Sequence, residues 1–391
     1  MTGGPASAPA AQEQAGEDRI VFDLDGVRER YATLCRELPG VDVRFALKAC
    51  PVDEVLECLV GLGSGVDAAS MPELEHALRA GAPLARTHYG NTVKSDRDIA
   101  AAHRLGVRDF ATDSPEDVAA LVRHAPGARV YCRLATTGEG ALWGLKHKFG
   151  CSPDDAVDIL TTARAGGLVP SGLSVHVGSQ QMNPDAWRAA FERLDAVLAA
   201  LGERGIVLDH VNLGGGLPAL DYLDRHGDPL RPPIDKIFLV LREGVAALRR
   251  AHGAHLGIIM EPGRYLVADH GTIHTRVVRM TARHLPDGTR QRWLYLGVGK
   301  FNGLYEMDML QYRLAFPSHP AGRTVPAILA GPTCDSDDAY TSAHRPVRVP
   351  EDLASGDPVR IASCGAYAVS YMTEGFNGFA PLPRVCTGGA R

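Results

Sequence analysis

The sequence lacks an apolar run long enough to cross a bilayer, and it lacks a signal-peptide pattern. The expectation is a cytoplasmic protein with no membrane contact. It also lacks a basic excess: 391 residues carry 41 Lys and Arg against 46 Asp and Glu, a net charge of −5. No global positive field is available to hold nucleic acid. The eight cysteines form no Cys-x-x-Cys pair and no secreted-type framework, and no metal site is expected. They read as reduced thiols, most of them small core residues, with Cys334 as the exception. Large apolar side chains are nearly missing from residues 2–17, which are rich in Ala, Gly, Pro and Gln. The tail, residues 1–18, is expected to be disordered.

What the chain has is alternation. Short apolar runs at Val43–Leu47, Ser64–Ala68, Thr87–Gly90, Asp109–Thr112, Arg129–Leu134, Leu173–Val177, His210–Leu213 and Leu256–Met260 alternate with helical stretches such as Pro72–Ala80, Pro115–Ala125 and Ala186–Leu201. Cap signals open several helices: Ser70-x-x-Glu73, Ser114-Pro115-Glu116 and Ser152-Pro153-Asp154. Eight strands over about 220 residues is the count and length of an α/β (β/α)₈ barrel, whose active site lies at the C-terminal strand ends.

After Arg264 the pattern changes to strands joined by turns: His274–Met280, Trp293–Val298, Val325–Leu329, Asp357–Ala362 and Ala368–Met372. The strand-like Arg19–Leu24 precedes an amphipathic helix (Val27, Tyr31, Leu34, Leu38) and is expected to join that later sheet. The expected organisation is a strand and helix over 19–38, a barrel over 39–268, and an antiparallel β-domain over 269–391.

Lys48 ends an apolar run in Phe45-Ala-Leu-Lys48-Ala-Cys-Pro51 instead of lying on a solvated face. Burial there would lower its pKa and free the amine to attack a carbonyl; the plainer reading is a surface charge. Leu213-Gly214-Gly215-Gly216 closes the seventh strand and Glu261-Pro-Gly263-Arg264 the eighth, which is where such barrels bind phosphate. Glycine backbones approach an anion closely, and Arg264 adds a charged fork. The plainer readings are a flexible turn and a Glu261–Arg264 pair.

Together with His176-Val-Gly-Ser179, Gly331-Pro-Thr-Cys334-Asp335-Ser-Asp-Asp338 and Gly365-Ala-Tyr367, these motifs make the chain resemble a known family over residues 20–385. It is similar to the fold-type III, alanine-racemase-like decarboxylases that use pyridoxal 5′-phosphate: ornithine, lysine, arginine and diaminopimelate decarboxylases. Gly-Pro-Thr-Cys-Asp followed by Phe376-Asn-Gly-Phe379 looks more like the ornithine/lysine branch.

The resemblance implies that Lys48 binds the cofactor covalently, with Asp67 beside it, and that His176 stacks on the pyridine ring. Glu261 would keep the ring nitrogen protonated, making the ring an electron sink. Ser179, the Gly214, Gly215 and Gly216 backbone, Gly263, Arg264 and Tyr367 would hold the phosphate, and Arg133 would lie near the cofactor. Glu73 matches the pattern too, but serves equally as a capping-box partner of Ser70. Cys334 would protonate Cα after CO₂ leaves, and Asp335 would bind a substrate amine. In the family these two, with Tyr305, Glu306 and Phe376, reach the site from a second subunit, so a homodimer with shared sites is implied.

Ornithine decarboxylases carry Tyr-Asp where this chain has Tyr305-Glu306, in a segment one residue shorter. The longer side chain moves the carboxylate about 1.5 Å along the pocket, unless the shorter loop cancels the shift. A solvated surface position for Glu306 is the alternative. The leading function is α-decarboxylation of a basic L-amino acid of the ornithine/lysine type, in polyamine formation. Diaminopimelate, or a diamino-acid conjugate in siderophore or natural-product assembly, is the second reading. A non-catalytic regulatory relative of these enzymes is the third.

Overall fold

A computed structural model describes residues 18–144 and 147–389. The tail expected to be disordered lies outside the described residues, except for Asp18, whose carboxylate accepts a hydrogen bond from Thr275 at 2.9 Å. The chain opens with β1 (Arg19–Asp23) and α1 (Leu24–Glu37). Strands and helices then alternate through β2 (Asp42–Ala46), α2 (Asp53–Gly61), β3 (Gly65–Ala68), α3 (Met71–Arg79), β4 (Thr87–Tyr89), α4 (Asp96–Leu105), β5 (Asp109–Thr112), α5 (Pro115–His124) and β6 (Arg129–Arg133). They continue through β7 (Ala141–Trp143), α6 (Pro153–Ala165), β8 (Val169–Ser174), β9 (Ser179–Gln181), α7 (Asp185–Glu203), β10 (His210–Asn212), α8 (Ile234–His252) and β11 (Gly257–Met260).

Strands β2, β3, β4, β5, β6, β8, β10 and β11 close a parallel barrel, in which β11 returns to β2 through Ile259↔Asp42 and Met260↔Val43. Such strands are covered by helices outside and packed side chains inside, so they read as apolar runs. The helices start where their caps place them. Ser70, Ser114 and Ser152 accept from the backbone N–H of Glu73, Asp117 and Asp155, each with a proline in the first turn. Each cap is worth about 1 kcal/mol. The Glu73 carboxylate accepts from the Ala69 N–H at 2.7 Å, one residue before the Ser70 cap, and so helps close the turn that leads into α3.

The second sheet combines β12 (Gly271–His284), β13 (Arg290–Leu296), β14 (Leu314–Ala315), β15 (Thr324–Ala330), β16 (Val347–Pro350), β17 (Pro358–Ile361) and β18 (Arg384–Thr387) with β1. β1 runs antiparallel to β12, so the two ends of the chain build one sheet. Most pairs are antiparallel; β1–β18 and β13–β15 are parallel.

Two strand expectations shift. The sixth barrel strand is Val169–Ser174, earlier than Leu173–Val177. Val175, whose N–H still donates to Asn212 O at 2.9 Å, and Val177 lie against the glycine turn: the Val175 carbonyl and the Val177 side chain are what a Cβ at Gly214 and at Gly216 would meet. Ala368–Met372 is not a strand; Tyr367 has φ of +61° and bends the chain there, and its N–H donates to Ala49 O at 2.7 Å, tying it to the barrel mouth.

Candidate active site

The barrel's C-terminal end opens on a cavity of about 340 Å³, lined among others by Lys48, Asp67, Arg133, His176, Ser179, Gly215, Gly216, Glu261, Gly263, Arg264 and Tyr367. These residues are far apart in sequence and meet because they end or follow six of the barrel strands, joined by Tyr367 from beyond the barrel. Lys48 sits on a short 3₁₀ turn, Leu47–Ala49. Its side chain is half exposed, toward the cavity, and Nζ lies 2.9 Å from the buried Asp67 carboxylate.

The expected lowering of the lysine pKa does not occur. Burial pushes it down, but Asp67, Tyr367 and Glu261 outweigh burial and raise it, so Lys48 is held as an ammonium. Burial likewise works against the Asp67 carboxylate, yet Lys48 and His88 hold it well below the usual carboxylate range. His176 is the opposite case: burial, with Arg133 and Lys48 nearby, pushes it down to about 3 and keeps it neutral.

Sequence reasoning missed His88. It lies inside β4 with no exposed surface, its Nε2 2.8 Å from Glu261 Oε1 and 3.3 Å from Asp67 Oδ1. Burial lowers its pKa and the Asp67 and Glu261 carboxylates pull it up to about 9, even with the charge of Arg44 opposing them. The contact geometry decides against a second proton: Arg44 Nη1 donates to Nδ1 at 2.8 Å, which leaves no room for a hydrogen on Nδ1. An arginine has no lone pair, so Nδ1 must be the acceptor and the ring carries its proton on Nε2. Asn212 was also missed; its amide donates to Glu261 Oε1 at 2.5 Å. The available signal was a polar side chain inside a barrel strand.

The glycine turn is a cradle no larger residue could form. A Cβ at Gly214 would meet Val175 O at 2.1 Å, and one at Gly216 would meet Gly178 O at 2.7 Å, both at positive φ. Gly214 shapes the turn while the two glycines that follow it, Gly215 and Gly216, line the cavity. Beside it, Arg264 is 4% exposed, its guanidinium 4.2 Å from the Trp143 ring centre and 4.6 Å from that of Tyr367. Arg264 also donates to Ser179 Oγ at 3.2 Å and to Tyr222 OH at 2.8 Å. Trp143 and Tyr222 lie outside the barrel strands, and no periodicity announced them.

Glu306 takes the rest of the Arg264 fork, at 2.5 and 2.7 Å. This removes one alternative and corrects one expectation. Glu306 is 7% exposed, so it is no solvated surface acid, and it bonds Arg264 of its own chain without itself lining the cavity. Tyr305 stacks on Tyr371 with ring centres 4.1 Å apart and stays outside the cavity lining. Cys334 and Asp335 are exposed and do not line the cavity. They form a separate group with Phe376: the Cys334 N–H donates to Asn377 Oδ1 at 2.8 Å, and Phe376 packs on Phe301 with ring centres 4.5 Å apart.

Residues 24–268 match the family model described as the pyridoxal binding domain of pyridoxal-dependent decarboxylases. The chain belongs to the pyridoxal-dependent decarboxylases. Among relatives, it is 31% identical to a lysine/ornithine decarboxylase of Selenomonas ruminantium, covering 94% of this chain and 88% of that one. It is 29% identical to a diaminopimelate decarboxylase of Pseudomonas fluorescens, over 94% of this chain and 87% of the other. The solved lysine/ornithine decarboxylase of Vibrio vulnificus, complexed with cadaverine, superposes with a TM-score of 0.83 at 28% identity, covering 96% of each chain.

As a pyridoxal-dependent decarboxylase, this protein uses pyridoxal 5′-phosphate, and its cavity fits that group. An amine, a carboxylate with one oxygen lacking a protein donor among the described residues, and a glycine cradle beside an arginine occupy one chamber. Among the described residues no helix is long and apolar enough to cross a membrane.

Proposed function

We propose that the protein removes the α-carboxyl group, as CO₂, from an L-amino acid with a basic side chain, ornithine- or lysine-like or a close derivative. The observation that carries this reading is the meeting of Lys48, Glu261, Arg264 and the Gly214–Gly216 turn in one cavity. The bound cofactor supplies an electron sink for the carbanion left at Cα. Lys48, once its ammonium has given up a proton, would attach the cofactor, with Asp67 holding the side chain in place. The neutral His176 ring would pack against it, and Glu261 would offer a carboxylate to its ring nitrogen. Ser179, the Gly214–Gly216 and Gly263 backbone, Arg264 and Tyr367 would hold the phosphate, with Arg133 at the rim. The cavity lies at the barrel mouth, so a closed site must exclude water from the substrate end.

Cys334 donates the proton to Cα and Asp335 takes a substrate ammonium, both from a second copy of the chain, with Phe376 alongside. Supporting this is their grouping on exposed surface away from Lys48. The active form is then a homodimer with shared sites, cytoplasmic and able to supply diamines for polyamine formation. The eight free thiols suit a reducing compartment.

One observation favours diaminopimelate, or a conjugated diamino acid, as the second substrate reading. Glu306, the acid aligned with the amine-binding position, is engaged by Arg264, so Asp335 alone is left to select a simple ammonium. The test is CO₂ release from ornithine, lysine, arginine, 2,4-diaminobutyrate and meso-diaminopimelate by cofactor-loaded protein. Turnover of ornithine or lysine above the rest supports the leading reading; turnover of diaminopimelate alone replaces it. A protein without visible cofactor absorbance and without CO₂ release from any of them is a non-catalytic relative.

A further inference from the structure

Beneath the cavity, the barrel interior holds a line of polar contacts that the proposed chemistry does not use. Asp42 accepts from Arg44 Nε at 3.0 Å. Arg44, 7% exposed, donates in turn to Nδ1 of His88, which is fully buried. On its other side His88 Nε2 lies 2.8 Å from Glu261 Oε1 and 3.3 Å from Asp67 Oδ1, a close polar contact shared by the two carboxylates and aligned as a hydrogen bond on neither. The other group facing the ring is Tyr131, with ring centres 5.4 Å apart, and His210 lies beyond Tyr131 at 5.8 Å. Three barrel strands and the loop after the eighth are thereby joined through one imidazole.

Because the guanidinium can only donate, the ring's single proton lies on Nε2, between two carboxylates. The same constraint disfavours a metal. Asp67, His88 and Glu261 do offer ligand atoms within 4.8 Å of one another. Ligation through Nε2 would move the ring proton to Nδ1, directly against the Arg44 N–H.

We propose that His88 is a positioning residue: Arg44 locks its tautomer, and its one N–H holds the Glu261 and Asp67 carboxylates aimed into the cavity. This rests on the reading of Glu261 as the partner of the cofactor's ring nitrogen. His88 and Asn212 both address Oε1 of Glu261, which leaves Oε2 for the ring. Without that shared N–H, two adjacent anions would repel and rotate, and both the ring-nitrogen contact and the Lys48–Asp67 pair would loosen.

The test uses full-length His88→Phe, His88→Gln and Glu261→Gln. In cofactor-free protein, ¹⁵N spectra should show one histidine with Nδ1 unprotonated and Nε2 protonated, not titrating between about pH 6 and 9, and missing from His88→Phe. In cofactor-loaded protein, His88→Phe should lower kcat roughly 10- to 100-fold, the range for groups that orient a reacting ligand, and weaken cofactor binding, while the substrate KM stays unchanged. His88→Gln, which keeps an N–H near the Nε2 position, should recover most of the loss. A doubly protonated or titrating ring overturns the proposal. So does a folded His88→Phe with wild-type kcat when Glu261→Gln is impaired, and that result leaves the Glu261 reading standing. Wild-type kcat in Glu261→Gln removes the Glu261 reading itself, and the proposal with it. Should His88→Phe fail to fold, the tautomer and His88→Gln decide the matter.

Discussion

Glu306 and Arg264 meet fork to fork, each carboxylate oxygen on its own guanidinium nitrogen at 2.5 and 2.7 Å, with both side chains buried. The proposed phosphate anchor thus already has an internal anion beside it, and that anion comes from the position expected to read the substrate's far end.

The first prediction follows from that pair. Glu306→Gln should destabilise the cofactor-free protein, at the low end of the roughly 3–5 kcal/mol typical of breaking a buried ion pair, since Gln keeps one acceptor. The same change should tighten cofactor binding, because phosphate becomes the only anion on Arg264. Thermal denaturation and a cofactor titration read both. Unchanged values in both, with a raised substrate KM, would return Glu306 to the substrate.

Lys48→Ala should abolish covalent cofactor attachment. Borohydride treatment followed by mass measurement of the intact chain is the check. A cofactor adduct that persists in the variant would move the attachment to another amine.

The proposed sharing of sites between subunits has a quantitative signature. Lys48→Ala and Cys334→Ala proteins are each inactive or slow, yet mixed in equal amounts they should recover about a quarter of wild-type activity, since half the dimers are mixed and each has one intact site. No recovery, with subunit exchange shown by labelled chains, would mean that each chain completes its own site.

Acid should destabilise the cofactor-free protein before its carboxylates titrate. His176 and His210 are pushed down to about 3 and about 4, chiefly by burial, below the ordinary value near 6.5. Below that value the unfolded chain binds protons that the folded chain refuses. Stability is therefore complete above about pH 6.5 and falls as pH drops, by at most about 1.4 kcal/mol per pH unit for each histidine. Urea denaturation at about pH 7, 6 and 5 should show this slope, and His176→Asn should remove its share. A flat profile over that window would mean the histidines are solvated or paired.

The barrel was legible because its strands are buried on both sides and three of its helices carry serine caps with proline in the first turn. Both are local signals, and the observed boundaries fall within a few residues of them. The sheet beyond was less legible. Arg384–Thr387 pairs in parallel with the first strand, across nearly the whole chain, and nothing local marks such a partner. At Ala368–Met372, an alternating pattern gave way to the left-handed backbone at Tyr367.

At the site, the sequence by itself determined which chemical groups stand at the strand ends: an amine, two carboxylates, a glycine turn and an arginine. Barrel geometry turns strand-end position into a shared cavity, so those residues could be named from order alone. Only the tertiary structure decided who pairs with whom. The charge state of Lys48 depends on Asp67, the tautomer of His88 on Arg44, and the company of Arg264 on Glu306, each partner on another strand or loop. These choices depend on distances of a few ångströms across the barrel and on burial that strengthens every charge interaction, and neither is encoded in the local pattern of a strand.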